Sequence, residues 1–248
     1  MSKFQTFAGL HKSGEPLILF NAWDPGSARA VAAAGAPAIA TGSWGVAAAN
    51  GYEDGERLPL DLALSIAERI VRAVDLPVTI DFEGGYAPHP DGVGTNSEKL
   101  AATGAVGCNF EDRLIAGDGL YPLKDQAERI AAMRQGAGAS FFINARTDVF
   151  LKTEVHEHGA GIGQALERAH AYAEAGASGF FVPGLSDPDL IGRICEESPL
   201  PVNIIVFPGV PDADELGRLG VARISHGAGP YRAAMARLRE DAAVHYRR

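Results

Sequence analysis

Short apolar runs alternate with amphipathic stretches along the whole chain. In four places a stretch of helical character ends in a glycine and a small residue, and an apolar run follows directly; these glycines are Gly35, Gly104, Gly176 and Gly220. Glycine supplies the left-handed position just past a helix at little cost, and the run that follows is too short for a helix. We interpret these units as helix–strand repeats of a parallel sheet.

The apolar runs predict eight buried strands. They are Leu17–Asn21, Ala38–Thr41, Val78–Asp81, Gly107–Phe110, Phe141–Ala145, Gly179–Val182, Val202–Val206 and Ala222–Ser225. Helical patterns lie between them, for example over Leu60–Val74 and Leu123–Gln135, and a last helix is predicted over Pro230–Arg239. Eight βα units in 248 residues match the size of a (β/α)8 TIM barrel. A doubly wound sheet is the alternative, but the glycine-rich turn typical of its first strand is absent here.

Composition and charge narrow the class of protein. The chain is 46% hydrophobic and 21% charged with a net charge of −9, so we expect a globular protein that binds neither nucleic acid nor membranes. No break in composition divides it, and we expect one domain over 1–248. Two cysteines cannot form a disulfide framework or a Cys-rich zinc site. No apolar run is long enough for a signal peptide or a membrane span, so we expect a cytoplasmic location.

Acidic residues gather at the predicted C-terminal ends of two neighbouring strands, which is where a TIM barrel has its active site. Asp81 and Glu83 follow the third strand and Glu111 follows the fourth. On an extended segment Asp81 and Glu83 would face the same side. Converging carboxylates repel each other, and Mg²⁺ relieves this while binding one or two carboxylates directly. The alternative is that these acids cap the following helices; we favour a metal site.

An arginine and two histidines that follow the predicted fifth strand can each be interpreted as functional or as structural residues. Arg146 can bind a carboxylate or phosphate bidentately, or it can form a structural ion pair with Glu111 or Asp148. His156 and His158 follow in a polar segment that we interpret as a solvated loop rather than a metal site.

The segments FNAWDPGSARAVAAAGAPAIATGSWG, TIDFEGGYA, NFEDRL and INARTD occur in this order along the chain. Their order and spacing resemble the isocitrate lyase / phosphoenolpyruvate mutase superfamily over about Leu17 to Met235. The resemblance implies a (β/α)8 barrel in which Mg²⁺, or Mn²⁺ as a substitute, stabilises the enolate of a small anionic 2-oxo acid. It also implies a homo-oligomer, a tetramer or dimer, in which the terminal helix packs on a neighbouring subunit.

The resemblance implies metal-site roles for four carboxylates. Asp81 and Glu83 match the acidic pair of the superfamily's metal motif, although a second aspartate is frequent where Glu83 stands. Asp54 and Glu111 match further carboxylates around the metal's water molecules. We assign Asp81, Glu83 and Glu111 to the metal, and we place Asp54 among the catalytic residues.

The resemblance also implies how the substrate is held. Ser43, with the backbone N–H groups of Trp44 and Gly45, matches the loop that binds the substrate's carboxylate. Arg146 matches the arginine that binds a second anionic group, and we place it among the catalytic residues. Asn203 is similar to an asparagine at the end of the seventh strand in the lyase branch.

Departures from the superfamily pattern narrow the expected reaction. In the superfamily, the segment after the fourth strand is a gating loop, on which the lyase and phosphomutase branches use lysine, cysteine, histidine or asparagine. The corresponding segment here, Asp112–Leu120, has none of these residues. In addition, Pro183 stands where phosphomutases commonly have histidine. We therefore expect a Mg²⁺-dependent lyase or decarboxylase that cleaves a C–C bond in a small 2-oxo or 2-hydroxy dicarboxylate. Two alternatives stay open. One is P–C bond chemistry, as in phosphoenolpyruvate phosphomutase or phosphonopyruvate hydrolase; the other is a non-catalytic barrel that binds an organic acid.

Overall fold

Eight parallel strands form a nearly closed barrel in the structure, a computed structural model that describes residues 1–115 and 117–246. The strands are β1 (Leu17–Leu19), β2 (Ile39–Ala40), β3 (Val78–Asp81), β4 (Gly107–Glu111), β5 (Phe142–Arg146), β6 (Gly179–Phe181), β7 (Val202–Ile205) and β8 (Arg223–Ser225). Each strand from β2 to β7 pairs with the strand that follows it in sequence, and β8 also pairs with β1. A single bridge, Ala22 to Thr41, joins the ends of β1 and β2. The predicted (β/α)8 barrel is confirmed; Ala116 and the last two residues of the predicted 1–248 domain lie outside the described residues.

Helices connect the strands and cover the barrel. They are α1 (Lys3–Gly9), α2 (Pro25–Ala33), α3 (Ser43–Ala49), α4 (Leu60–Ala73), α5 (Pro90–Ala102), α6 (Leu123–Ala137), α7 (His158–Glu174), α8 (Pro188–Glu197), α9 (Ala213–Arg218) and α10 (Gly229–Tyr246). The helix predicted over Pro230–Arg239 extends further, to Tyr246. No helix of the described part of the chain is both long and apolar enough to cross a lipid bilayer.

The predicted solvated loop after β5 is partly wrong. His158 begins α7 and is only 1% exposed, with its ring packed edge-on against Phe150 at 5.2 Å between ring centroids. The helix begins there because Ile162 and Ala165 bury one of its faces against the barrel, and this packing overrides the weak helix propensity of the nearby glycines.

The floor of the barrel is apolar. Phe7 of α1 is fully buried in a cluster with Leu17, Leu19 and Phe142, so that α1 closes the N-terminal end of the barrel. The ring of His11 stacks on Phe142 with 4.1 Å between their centroids. The opposite end of the barrel is therefore the open one.

The upper part of the barrel interior is polar, whereas branched apolar side chains usually fill such a core. Asn144 donates to the side-chain oxygens of Asn109 and Asn203, at 2.9 and 3.0 Å. The buried Arg223 also donates to the Asn109 oxygen, at 3.0 Å. Asn109 in turn donates to Asp81 at 3.3 Å. This network lies directly beneath the open end and fixes the side chains there.

The outer surface carries two exposed apolar regions. Ile18 and Phe20, on and just after β1, are 48% and 49% exposed and line a shallow groove beside α2. Along α10, Leu238, Val244 and Tyr246 are mostly exposed. Side chains of this type on an outer surface are a feature of contact surfaces between subunits.

Candidate active site

A cavity of about 330 Å³ opens at the C-terminal ends of the strands, and all eight strands or the segments after them contribute to its walls. Of the residues predicted from the sequence, those that line it are Ser43, Trp44, Asp54, Asp81 and Arg146. Those that lie outside its lining are Gly45, Glu83, Glu111 and Asn203. The cavity is also lined by Asn21, Asn109 and Ser225, which were not predicted from the sequence to be site residues.

Asp81 is the last residue of β3, and its carboxylate is fixed from two sides. One oxygen accepts the backbone N–H of Ser43 at 2.9 Å, and the other accepts the amide of Asn109 at 3.3 Å. Its own N–H donates to the Thr41 hydroxyl at 2.9 Å. Three neighbouring strands therefore hold one carboxylate at the cavity in a defined orientation.

Glu83 lies past the end of β3, so the extended segment expected to carry both Asp81 and Glu83 does not form. The strand ends at Asp81, and Glu83 adopts a left-handed backbone with φ of 50°, so strand alternation does not reach it. One carboxylate oxygen accepts the N–H groups of Gly55 and Glu56, both at 2.8 Å. Glu83 thus fixes the loop that carries Asp54, and its assignment to the metal stays a prediction.

Backbone strain gathers around the same loop. Among the described residues, the non-glycine residues with positive φ are Glu56, Glu83 and Tyr86, at 59°, 50° and 56°. The Tyr86 N–H donates to the Glu56 carboxylate at 2.7 Å, which links two of them directly. Such conformations cost about 1–3 kcal/mol each and persist where the surroundings impose them, most often at functional sites.

The carboxylates around Asp81 repel each other. Burial, followed by the charges of Asp54 and Asp81, raises the pKa of Glu83 to about 8. Burial and the charge of Asp81 also raise the pKa of Asp54. A bound cation would relieve this repulsion. In the described part of the chain no group of three or more His, Cys, Asp or Glu side chains is arranged to hold a metal by itself. The carboxylate oxygens of Asp81 and its neighbours are hard donors of the kind that Mg²⁺ accepts, since it takes few carboxylates and keeps several waters.

Arg146 forms both of the ion pairs considered from the sequence. Its guanidinium contacts Glu111 at 2.8 Å and binds both oxygens of Asp148 at 2.6 and 2.9 Å. Burial alone would lower the pKa of Arg146, but the two carboxylates reverse this and raise it. The hydrogen bonds to Asp148 use two of the five guanidinium N–H groups. Arg146 also lines the cavity, so its guanidinium can contact an anion there.

Glu111 lies beside Arg146 because β4 and β5 pair in a register that places the two residues opposite each other. Arg113 lies on its other side, with 3.5 Å between Nε and a Glu111 oxygen. Burial raises the pKa of Glu111 to about 7, although Arg146 acts in the opposite direction. The structure thus shows Glu111 as a partner of Arg146, and its contact with the metal's water stays a prediction.

A buried network behind Asp148 was missed by the sequence analysis. Asp112 is 0% exposed; one of its oxygens accepts the Asp148 N–H at 2.9 Å. The other accepts Arg168 at 3.1 Å and the Tyr172 hydroxyl at 2.8 Å. Arg168 and Tyr172 lie on α7, far from Asp112 in sequence, and a lone helical arginine gave no signal of this pairing. The network fixes Asp148 and, through it, Arg146.

The predicted carboxylate-binding loop lies at the start of α3. N–H groups in the first turn of a helix have no acceptor within the helix, so they favour anions. The N–H group of Ser43 donates to Asp81. The N–H groups of Trp44 and Gly45 therefore remain for a ligand. A side chain at Gly45 would come within 3.3 Å of Tyr231 on α10, so glycine permits this close packing.

Asn203 lies beneath the cavity rather than on its surface. Its amide nitrogen donates to the carbonyl of Ile204 at 2.8 Å and to the Ser225 hydroxyl at 3.2 Å, and its oxygen accepts Asn144. It is 1% exposed. Its predicted contact with substrate stays a prediction, and the structure places it among the groups that support Asn109.

The chain was compared with known proteins. It matches the family described as phosphoenolpyruvate phosphomutase over residues 7–245. A crystal structure described as a candidate phosphonomutase from Burkholderia cenocepacia J2315 superposes with a TM-score of 0.93 at 51% identity, covering 96% of this chain and 98% of that one.

Two curated relatives extend the comparison. An uncharacterised protein of Mycobacterium tuberculosis strain H37Rv is 36% identical over 230 residues, which are 93% of this chain and 84% of that protein. The 2-methylisocitrate lyase of Bacillus subtilis strain 168 is 30% identical over 215 residues, 81% of this chain and 67% of the lyase. Because the family match spans almost the whole chain, the chain belongs to the phosphoenolpyruvate phosphomutase family, within the isocitrate lyase / phosphoenolpyruvate mutase superfamily.

Proposed function

We propose that the protein is a Mg²⁺-dependent lyase or decarboxylase that cleaves a C–C bond in a small 2-oxo or 2-hydroxy dicarboxylate. The observation that carries the proposal is the pairing of a fixed, cavity-facing carboxylate, Asp81, with a fixed cavity-facing cation, Arg146. The similarity to a 2-methylisocitrate lyase supports the C–C reaction type.

The residues that would hold the metal are Asp81, Glu83 and Glu111, and Asp54 would lie near its waters. These are hard oxygen donors, which Mg²⁺ prefers and which Mn²⁺ also accepts. When bound, the metal supplies Lewis-acid stabilisation of negative charge on a substrate oxygen. The repulsion that raises the pKa values of Asp54 and Glu83 is the feature that such a cation would relieve.

The chain's own residues would orient the substrate. The N–H groups of Trp44 and Gly45 bind its first carboxylate, and the guanidinium of Arg146 binds the second. When a 2-oxo dicarboxylate loses its second carboxylate as CO2, the electron pair of the broken C–C bond stays on the 2-oxo acid fragment as an enolate. When a 2-hydroxy dicarboxylate is cleaved, its hydroxyl proton passes to Asp54, the hydroxyl carbon becomes the carbonyl of the 2-oxo product, and the electron pair stays on the other fragment. Asp54 and Arg146 keep the two fragments in place. A proton from water completes the reaction, because no cysteine, lysine or histidine is among the described residues that line the cavity.

Cys108 does not take the role of the superfamily's loop cysteine in this proposal. It is 0% exposed and faces away from the cavity, with its sulfur 3.5 Å from that of Met133. Burial raises the pKa of its thiol, so the thiolate is disfavoured.

P–C bond chemistry is the second candidate, because the family match and the 51% identical structure both bear phosphomutase names. Against it, Pro183 lines the cavity at the position where phosphomutases commonly have histidine. Assays with Mg²⁺ separate the two: we expect turnover of oxaloacetate and none of phosphonopyruvate. The reverse result would establish P–C chemistry, and Mg²⁺-dependent acid binding without turnover of either would support a non-catalytic barrel.

The proposal includes a homo-oligomer, a dimer or tetramer, in which α10 packs on a neighbouring subunit. The exposed Leu238 and Tyr246 of α10 and the half-exposed Ile18 and Phe20 beside β1 support it. It also includes a cytoplasmic location, which the two unpaired cysteines support. Sedimentation of wild type and Leu238→Glu tests the assembly; a monomeric wild type would contradict it.

A further inference from the structure

The cavity has two chemically different halves. Its charged and amide side chains come from β1 to β5 and the segments after them, and they include Asn21, Asp54, Asp81, Asn109 and Arg146. The opposite half comes from β6, β7 and the turn after β5. There the larger side chains are all apolar: Leu151, Phe181, Pro183, Ile205 and Phe207, which we call the apolar wall.

The apolar wall contains side chains that are open to the cavity rather than packed away in the core. Leu151 is 51% exposed, and Ile205 and Phe207 are half-buried. Ile205 and Phe207 both face the cavity, whereas Val206 between them does not line it and is 42% exposed on the outside. Apolar surface that faces a concave site loses its contact with water only when a ligand covers it.

The guanidinium of Arg146 borders the wall at Phe181, 5.8 Å from the centroid of that ring, but no charged side chain of the cavity lining belongs to the wall itself. Arg146 is the one cationic side chain among the described residues that line the cavity; it lies in the polar half, where Glu111 and Asp148 already hold it. A carboxylate or phosphonate against Ile205 or Phe207 would lose its hydration with no partner in return.

We propose that the substrate carries an apolar substituent, a short alkyl chain next to the reacting carbons, which packs on the apolar wall. The inference rests on the proposed function, because the polar half must hold the 2-oxo or 2-hydroxy acid end for the substituent to reach across. The cavity of about 330 Å³ is within the range of sites for ligands larger than the smallest 2-oxo acids. The wall therefore selects among organic acids by the hydrophobicity of this substituent.

Titration calorimetry with inert mimics tests the inference. Oxalate and oxamate imitate the enolate end, and N-propyloxamate adds a propyl chain in the direction of the wall. With Mg²⁺ present, we expect N-propyloxamate to bind the wild-type protein at least about tenfold more tightly than oxamate, from the burial of its methylene groups. In Ile205→Ser and in Phe207→Ser the ratio should fall below about threefold, while oxamate itself binds as in the wild type.

Val206→Ser is the matched control, since it changes the neighbouring residue outside the cavity, and it should keep the full preference for the propyl chain. Unchanged oxamate binding also shows that each variant is folded. Equal or weaker binding of N-propyloxamate would overturn the inference, as would a preference that survives both wall variants. If oxalate binds but the propyl chain adds nothing, the inference fails alone; if oxalate does not bind with Mg²⁺, the proposed function fails with it.

Discussion

Asp148 holds the guanidinium of Arg146 through both of its carboxylate oxygens, at 2.6 and 2.9 Å. Asp148 is itself fixed from behind, because its N–H donates to the buried Asp112. The cation of the cavity is therefore oriented before any ligand arrives. A group that is already oriented in this way stabilises a developing charge without a free-energy cost for its own reorganisation.

Replacing Arg146 should damage function far more than replacing Cys108. Arg146→Ala removes the cation that lines the cavity and should reduce kcat/KM by about a hundredfold or more. Cys108→Ala changes a buried packing residue outside the cavity and should reduce kcat/KM by less than about threefold. Steady-state assays on the two purified variants measure this, and equal losses would rule out the assignment of Arg146.

The Asp112 network should be important for stability. Asp112→Ala leaves the guanidinium of Arg168 buried without its carboxylate and should lower the free energy of unfolding by about 3–5 kcal/mol. Glu167→Ala, an exposed position on the same helix, should change it by less than about 0.5 kcal/mol. Urea denaturation measures both changes. A loss for Asp112→Ala as small as that of Glu167→Ala would show that the pair contributes little.

Mg²⁺ should stabilise the protein through Asp81. At a concentration about a hundred times its Kd, the metal should add about 2.7 kcal/mol to the free energy of unfolding relative to a chelated sample. Asp81→Asn should abolish this gain, because it removes the cavity-facing carboxylate charge that would bind the metal. The exposed Asp75→Asn should keep the gain. Equal stabilisation of Asp81→Asn and wild type would place the metal elsewhere.

Stability should fall in mild acid because of His11. Burial, together with the charge of Arg223, lowers the pKa of His11 from 6.5 to about 3. Between these values the unfolded chain binds a proton that the folded chain excludes. The contribution of His11 is therefore complete above about pH 6.5 and is lost as the pH falls toward 3, by at most about 1.4 kcal/mol per pH unit.

His11→Gln isolates this effect, since glutamine can keep the hydrogen bond to the Phe7 carbonyl but cannot titrate. The stability of the wild type relative to this variant should decline steadily between pH 7 and pH 5 in urea titrations. A difference in stability that does not depend on pH would show that His11 is protonated as readily in the folded chain as in the unfolded one.

The strands were predictable because each is a short apolar run bounded by glycine or polar residues. Their ends agree with the prediction within one or two residues, for example Gly107–Glu111 against Gly107–Phe110. The fold also placed Asp81 and Arg146 at one cavity, as expected from their positions at strand ends. These features depend on local sequence and on the common direction of parallel strands.

Other features depend on contacts that no local pattern encodes. Glu83 departs from strand alternation because the chain enters a left-handed turn directly after Asp81. Asp112 and Arg168 are 56 residues apart in sequence, and only the packing of α7 brings them together. The apolar wall was not predicted either, because Ile205 lies within the strand predicted over Val202–Val206 and Phe207 directly follows that strand, and only the barrel turns both side chains toward the cavity.

The most direct test of the central claim is a calorimetric titration of the purified protein with oxalate, with and without Mg²⁺. Oxalate imitates the enolate of pyruvate, so it examines the shared part of the mechanism before the substrate is known. We predict binding that requires Mg²⁺ and that disappears in Asp81→Ala. Absence of binding under both conditions, or binding that Asp81→Ala retains, would contradict a metal-assisted enolate site at the end of β3.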